Sequence, residues 1–216
     1  ERKDGVRRWF YQRATPSLAL RGFAGPVFAE RLLFVGFPAG KIVALDLKNG
    51  APVWEGTVSL PKGATELDRV ADVVSSPVID GRQICAAAYQ GRVSCFELGQ
   101  TGQLLWGRDI SSAAGLVVDG RYLYITDEKG VVHALDRSSG SSVWKQDKLL
   151  NRRVSAPAVR RQYVALGDLA GVVHILRRDD GEFAARINTD GTAIRTSPVL
   201  MGTAFIVQTS GGSVQA

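Results

Sequence analysis

Cysteine, histidine and methionine are scarce in these 216 residues, with two, two and one of each. Metal centres of the usual kind need three or four converging ligands. The two histidines, His133 and His174, sit at the same phase of consecutive sequence units, where each fills a polar slot on its own strand. There is no Gly-x-Ser-x-Gly, and no histidine lies near a nucleophile, so no catalytic residue is named. The polar runs "DEKGVVH" and "DGTAIRTSP" fall at turns and yield no acid–base pair. Long apolar runs are missing too: none approaches the roughly 18 residues of a transmembrane segment. No stretch carries the 3.6-residue period of a helix. Positive charge is in excess, 27 basic against 21 acidic residues, but it is not gathered. Arg7-Arg8, Arg152-Arg153, Arg160-Arg161 and Arg177-Arg178 lie in different units, which argues against a nucleic-acid face and fits charges that blunt sheet edges.

What the chain has in quantity is glycine, 24 residues, placed at intervals. Gly-x-x-x-Trp occurs as Gly5 to Trp9, Gly50 to Trp54, Gly102 to Trp106 and Gly140 to Trp144, and Gly181 opens a copy with Ala185 in the Trp position. Ten or eleven residues upstream of the last four stand Gly40, Gly91, Gly130 and Gly171, each opening an alternating run such as "GKIVALD" or "GVVHALD". A small residue followed by Pro heads units at Gly25-Pro26, Ser76-Pro77, Ala156-Pro157 and Ser197-Pro198. A period near 40 marks a repeat architecture. Period-two alternation between Gly, Asp-Gly and Asn-Gly turns gives about four short strands per unit. One such sheet cannot bury both faces, so successive sheets stack, with the Trp supplying apolar area. The fold expected is an all-β propeller of four-stranded antiparallel blades.

The first Gly-x-x-x-Trp copy lacks upstream strands, and the last unit, ending "GGSVQA", lacks its Gly-x-x-x-Trp strand. Residues 1–216 are therefore expected to form a single domain, an incomplete propeller and a fragment of a longer chain. It holds about five blades' worth of strands, in an arc that does not close on itself.

The repeat breaks at "GATELDRVADV", residues 63–73, where a short turn is due. A longer connection costs about 1 kcal/mol or less in loop entropy, adds nothing to stacking, and is where scaffolds carry function. The units "VALDLKNGAPVW" and "HALDRSSGSSVW" resemble pyrroloquinoline-quinone-type propellers. One branch of these is the quinoprotein dehydrogenases, the alternative function. They use adjacent cysteines and a calcium site with carboxylate ligands, whereas Cys85 and Cys95 are ten residues apart with no acidic cluster. The other branch is the β-propeller lipoproteins of the outer-membrane β-barrel assembly machinery. Two non-repeat segments are similar to that family: "PSLALRGFAGP", residues 16–26, and "TELDRVADV", residues 65–73.

This resemblance implies eight blades in the intact protein, no cofactor, and a non-enzymatic scaffold at the periplasmic face of the bacterial outer membrane, lipid-anchored in the full-length protein. Its partners would be POTRA domains of the barrel-inserting subunit and unfolded outer-membrane protein substrates. Leu18, Leu20, Arg21 and Asp72 match the family's contact positions, while Val74 stands where a second acid belongs. Glu66, Leu67, Asp68 and Arg69 complete the expected partner-binding set, with Leu67 and Val70 as an apolar centre inside a charged rim.

Turn chemistry also bears on the cysteines. With Gly91 in the left-handed position of a three-residue loop, Ala88 pairs with Arg92 and Cys85 stands opposite Cys95 in a non-hydrogen-bonded pair. The same positions elsewhere hold Phe34 with Ala44, Tyr124 with Ala134 and Ala165 with Ile175. A cross-strand disulfide in an oxidising periplasm and two packed thiols both fit that placement.

Overall fold

The computed structural model describes residues 3–20, 22, 24–99 and 102–216. It is all-β, built from antiparallel sheets in chain order. The first comprises β1 (Val27–Ala29), β2 (Leu32–Phe37), β3 (Lys41–Asp46) and β4 (Pro52–Thr57). The second comprises β5 (Val78–Asp80), β6 (Gln83–Ala87), β7 (Val93–Glu97) and β8 (Leu104–Arg108). The third runs through β9 (Gly115–Val118), β10 (Tyr122–Thr126), β11 (Val132–Asp136) and β12 (Ser142–Gln146). The fourth holds β13 (Ala158–Arg160), β14 (Tyr163–Gly167), β15 (Val172–Arg177) and β16 (Phe183–Asn188). The last sheet has three strands, β17 (Val199–Met201), β18 (Ala204–Gln208) and β19 (Val214–Gln215). The Pro residues read as unit heads fall immediately before β1, β5, β13 and β17. There a fixed φ and a missing N–H cost the sheet nothing.

Each four-stranded sheet repeats the same irregularity. The register between its third and fourth strands shifts after Ala44, Cys95, Ala134 and Ile175. This bulge lies directly beside the residue in the Trp position, which pairs across from those four: Trp54, Trp106, Trp144 and Ala185.

Contacts group the chain into two compact units, Glu1–Asp109 and Ile110–Ala216. Each has its own core. In the first, Phe34, Ile42, Ile84, Ala86 and Phe96 pack together with Trp54 against them. In the second, Tyr124, Val132, Trp144, Leu166 and Leu176 do the same. Stacking of neighbouring sheets uses the two ends of the Gly-x-x-x-Trp motif. Within each compact unit the Trp of one sequence repeat lies on the turn Gly of the next repeat, so a Cβ on Gly50, Gly102 or Gly181 would collide with the ring of Trp9, Trp54 or Trp144. All three glycines have positive φ, which also favours the absence of a side chain.

The hairpin register expected from the sequence is the one found. Phe34 pairs with Ala44, Cys85 with Cys95, Tyr124 with Ala134 and Ala165 with Ile175, and Ala88 N donates to Arg92 O at 2.8 Å. The left-handed residue of that turn differs from expectation: it is Gln90, at φ 48°, and not Gly91. A disulfide joins Cys85 to Cys95, with Cα atoms 4.1 Å apart.

Candidate functional site

Residues 58–77 separate β4 from β5, against 109–114, 147–157 and 189–198 in the later connections. The tip of this long connection folds back on itself. Thr65 N donates to Asp68 Oδ2 and Asp68 N to Thr65 Oγ1, both at 3.1 Å, a reciprocal cap on one turn of chain. The Thr65 hydroxyl and amide hold the Asp68 carboxyl below the usual carboxylate range. Arg69 Nε donates to Gly63 O at 3.1 Å. Gly63, at φ 139°, has no room for a Cβ against Asp68. Gln90, at the β6–β7 turn, completes the support: with its amide nitrogen turned to the loop it donates to Leu67 O at 2.9 Å and Val70 O at 3.1 Å.

The base of the loop is fixed by Asp72, which is 2% exposed. One carboxylate oxygen accepts from Leu20 N at 2.7 Å, the other from Ala39 N at 3.0 Å. Its own carbonyl accepts from Tyr89 N at 2.9 Å, and Val73 N donates to Phe37 O at 3.2 Å. Asp72 thus ties four pieces together: the loop, the segment before β1, the β2–β3 turn and the β6–β7 turn. A second tie, Ser17 Oγ to Glu66 Oε2 at 3.1 Å, joins the loop tip to the same segment. Close packing follows the same seam, since a Cβ on Gly22 would lie 2.6 Å from Val74 Cβ.

This changes the reading of several residues. Asp72, expected at the contact surface, is interior and acts through the backbone of its neighbours. Val70, read as part of an apolar centre at the surface, is core at 9% exposure, with Ala71 and Val73 beside it. Leu18, Leu20 and Leu67 are outside, at 43%, 37% and 68% exposure, and Leu18 and Leu20 belong to no strand. Glu66, Asp68 and Arg69 are exposed around Leu67. Arg21 lies outside the described residues. Ser17 and Gln90 were not picked out from the sequence. Gln90 carries a signal only in hindsight of the fold, as a polar residue in a turn whose neighbours in the chain serve the loop.

The histidines occupy the polar slots expected of them. His133 Nε2 is 3.0 Å from Asp127 Oδ2 and His174 Nε2 is 2.8 Å from Asp168 Oδ2, and each aspartate's other oxygen accepts two backbone amides of the adjoining turn. Among the described residues no group of three or more His, Cys, Asp or Glu converges as metal ligands do.

Comparison with known proteins follows the same lines. A family model described as outer membrane protein assembly factor BamB matches residues 1–146. The protein of that name from Bordetella pertussis is 45% identical over 212 residues, 98% of this chain and 55% of the relative. The crystal structure of BamB from Moraxella catarrhalis superposes with a TM-score of 0.90 at 31% identity, covering 97% of this chain and 62% of that one. A europium-containing methanol dehydrogenase superposes with a TM-score of 0.59 over 76% of this chain and 41% of its own, and at 12% identity shows the propeller fold alone. The chain spans about half the length of the curated relatives it matches.

Proposed function

From the premise that this chain belongs to the BamB family of outer membrane protein assembly factors, we propose that it serves as a non-enzymatic scaffold in that assembly. It docks on POTRA domains of the barrel-inserting subunit, BamA, and aids delivery of unfolded outer-membrane proteins. Its place is the periplasmic face of the outer membrane, with a lipid anchor in the full-length protein. The observation that carries this reading is the pairing of the two non-repeat segments. They are the parts of the first unit that the repeat does not require, they are fastened to each other through Asp72 and Glu66, and they present Leu18, Leu20 and Leu67 within a charged border. Apolar residues at the centre of a contact anchor it, and charges at the border steer approach.

Titration of the purified chain with isolated POTRA domains tests this. Leu67→Glu and Leu18→Glu, both at exposed positions, are expected to weaken association by about tenfold or more, with the melting temperature kept. Asp72→Ala is expected to lower stability and affinity together, since it strands two backbone donors at a cost of about 1–3 kcal/mol. Unchanged affinity in Leu67→Glu would remove the site from this surface.

A further inference from the structure

A half-open cavity of about 470 Å³ lies between the first two sheets. It opens among the β1–β2, β5–β6 and β7–β8 turns, at the ends of the strands opposite to the 65–73 loop. The equivalent junction in the second unit shows what else fills such a space. There the Arg178 guanidinium lies over the Tyr122 ring at 5.5 Å, pairs with Asp119 at 2.8 Å and donates to the Tyr124 hydroxyl at 3.2 Å. The Tyr124 hydroxyl donates to Asp119 at 3.0 Å, closing the plug.

Register assigns each member its counterpart in the first unit. Tyr124 faces Ala134 as Phe34 faces Ala44. Counting back along the strand pairs Tyr122 with Leu32, and Asp119 with Ala29. Arg178 N donates to Gln162 O at 2.7 Å as Leu98 N donates to Arg82 O at 2.6 Å, so Leu98 stands in the Arg178 position. All four plugging groups have been replaced, and the residues that replaced them line the cavity together with Trp54. The adjoining turn is also one residue longer: Gly102 follows Glu97 by five positions, and Gly181 follows Arg177 by four. In consequence Trp54 Nε1 donates to Gly102 O at 3.3 Å, whereas Trp144 Nε1 donates to Arg178 O at 2.7 Å.

We propose that this cavity receives the arginine side chain of an extended polypeptide supplied by a partner, in place of the arginine the chain supplies to its own second unit. Leu32 and Leu98 offer apolar wall for the aliphatic stem. The partly exposed ring of Trp54 accepts the flat face of a guanidinium, over a floor closed by the buried Phe34. Glu30, next in sequence to Ala29, and Glu97 bring two carboxylates to the rim against one cation, Arg82. Arg82 is only loosely paired with Glu97, at 3.6 Å. The rim is thus one negative charge in excess, which a cation complements. A lysine ammonium, compact and strongly hydrated, fits such walls less well than a guanidinium. An apolar side chain would fill the walls and leave rim carboxylates partly desolvated without a partner. The site is independent of the docking loop and does not rest on the proposed function.

The Trp54 indole N–H is a reporter in place. In nuclear magnetic resonance titrations of the purified chain, a blocked Gly-Arg-Gly peptide is expected to shift that resonance saturably, and counterparts with citrulline, lysine, leucine or phenylalanine at the centre to bind more weakly. Glu30→Gln, an exposed change, is expected to weaken the arginine peptide up to about fivefold, as loss of an ion pair at the surface does. Ala29→Asp with Leu98→Arg rebuilds the plug from within and is expected to abolish the shift while the rest of the spectrum stays folded. Stronger binding of the leucine or phenylalanine peptide, no shift with any peptide, or undiminished binding to a folded plugged variant would each overturn the proposal. If the plugged variant does not fold, Glu30→Gln decides: an unaltered arginine titration overturns it.

Discussion

At the scale of single residues, the two Asp–His pairs show how a polar slot in a propeller is made. Asp168 accepts the amides of Ala170 and Val172 with one oxygen, and His174 and Arg152 with the other, Arg152 at 2.5 Å. Burial raises the carboxyl, but His174, the Val172 amide and Arg152 outweigh it and hold it below its ordinary value. His174 is 1% exposed, and among the described residues its Nδ1 has no hydrogen-bond partner. Burial lowers its affinity for a proton, Asp168 opposes this, and Arg152 and Arg186 reinforce it, with a net downward shift. A histidine lowered in the folded state binds more protons when unfolded, so stability rises with pH across the interval from the folded value up to about 6.5 and is lost on acidification through it. The urea midpoint is therefore expected to fall between about pH 7.5 and about pH 5.5 in the native chain and to fall less in His174→Asn. Equal drops in the two would show that His174 is not the titrating group. Sequence phase alone placed both histidines in separate slots. It was silent on their aspartates, six positions upstream, because a turn-forming Asp looks the same whether or not it also holds a ring.

At the scale of elements, the Gly-x-x-x-Trp motif and the period near 40 were legible, and with them the four-strand sheets, because turn glycines and alternation are local properties. What was not legible is that the two ends of one motif serve different seams. Trp144 covers Gly181, not the Gly140 of its own copy. The buried status of Asp72 was hidden for a similar reason: charge and loop position predict exposure, and only the convergence of two other backbone segments on its oxygens makes a carboxylate inside the loop worth keeping. The seam yields a prediction. Gly181→Ala meets both a positive φ of 73° and the Trp144 ring, while Gly202→Ala, at φ 57°, meets nothing within 4 Å. Gly202→Ala is expected to cost about 1 kcal/mol from backbone strain. Gly181→Ala should cost a further 1–3 kcal/mol or so through overpacking. Chemical denaturation of the two variants compares them, and equal costs would mean that the indole yields without resistance.

At the scale of the whole molecule, one covalent cross-link is available, because the sequence holds two cysteines. Cys85 and Cys95 are 1% and 0% exposed in the core of the second sheet. Cross-linking restricts the unfolded chain, typically by about 2–4 kcal/mol and less for a short loop. Thiol titration of the unfolded, unreduced protein is expected to find no free thiol, and two would reject the bridge. Cys85→Ala with Cys95→Ala is expected to lower the melting temperature while leaving the sheet intact, since Phe34 with Ala44 fills the same cross-strand position without sulfur. Register placed Cys85 opposite Cys95 in advance and left a bridge and two packed thiols equally open.

The offset between Trp and glycine also decides what counts as an interchangeable part. A sheet lifted from its first strand to its fourth arrives with a Trp that has no seat and with its own turn glycine bare. The segment that can be moved intact begins one strand earlier, at the Trp strand, and ends with the third strand of the next sheet, carrying ring and receiving glycine together, as residues 142–181 do. Recombination between propellers of this kind should therefore succeed at joints inside sheets, between third and fourth strands, and fail at the joints between sheets that the eye would choose.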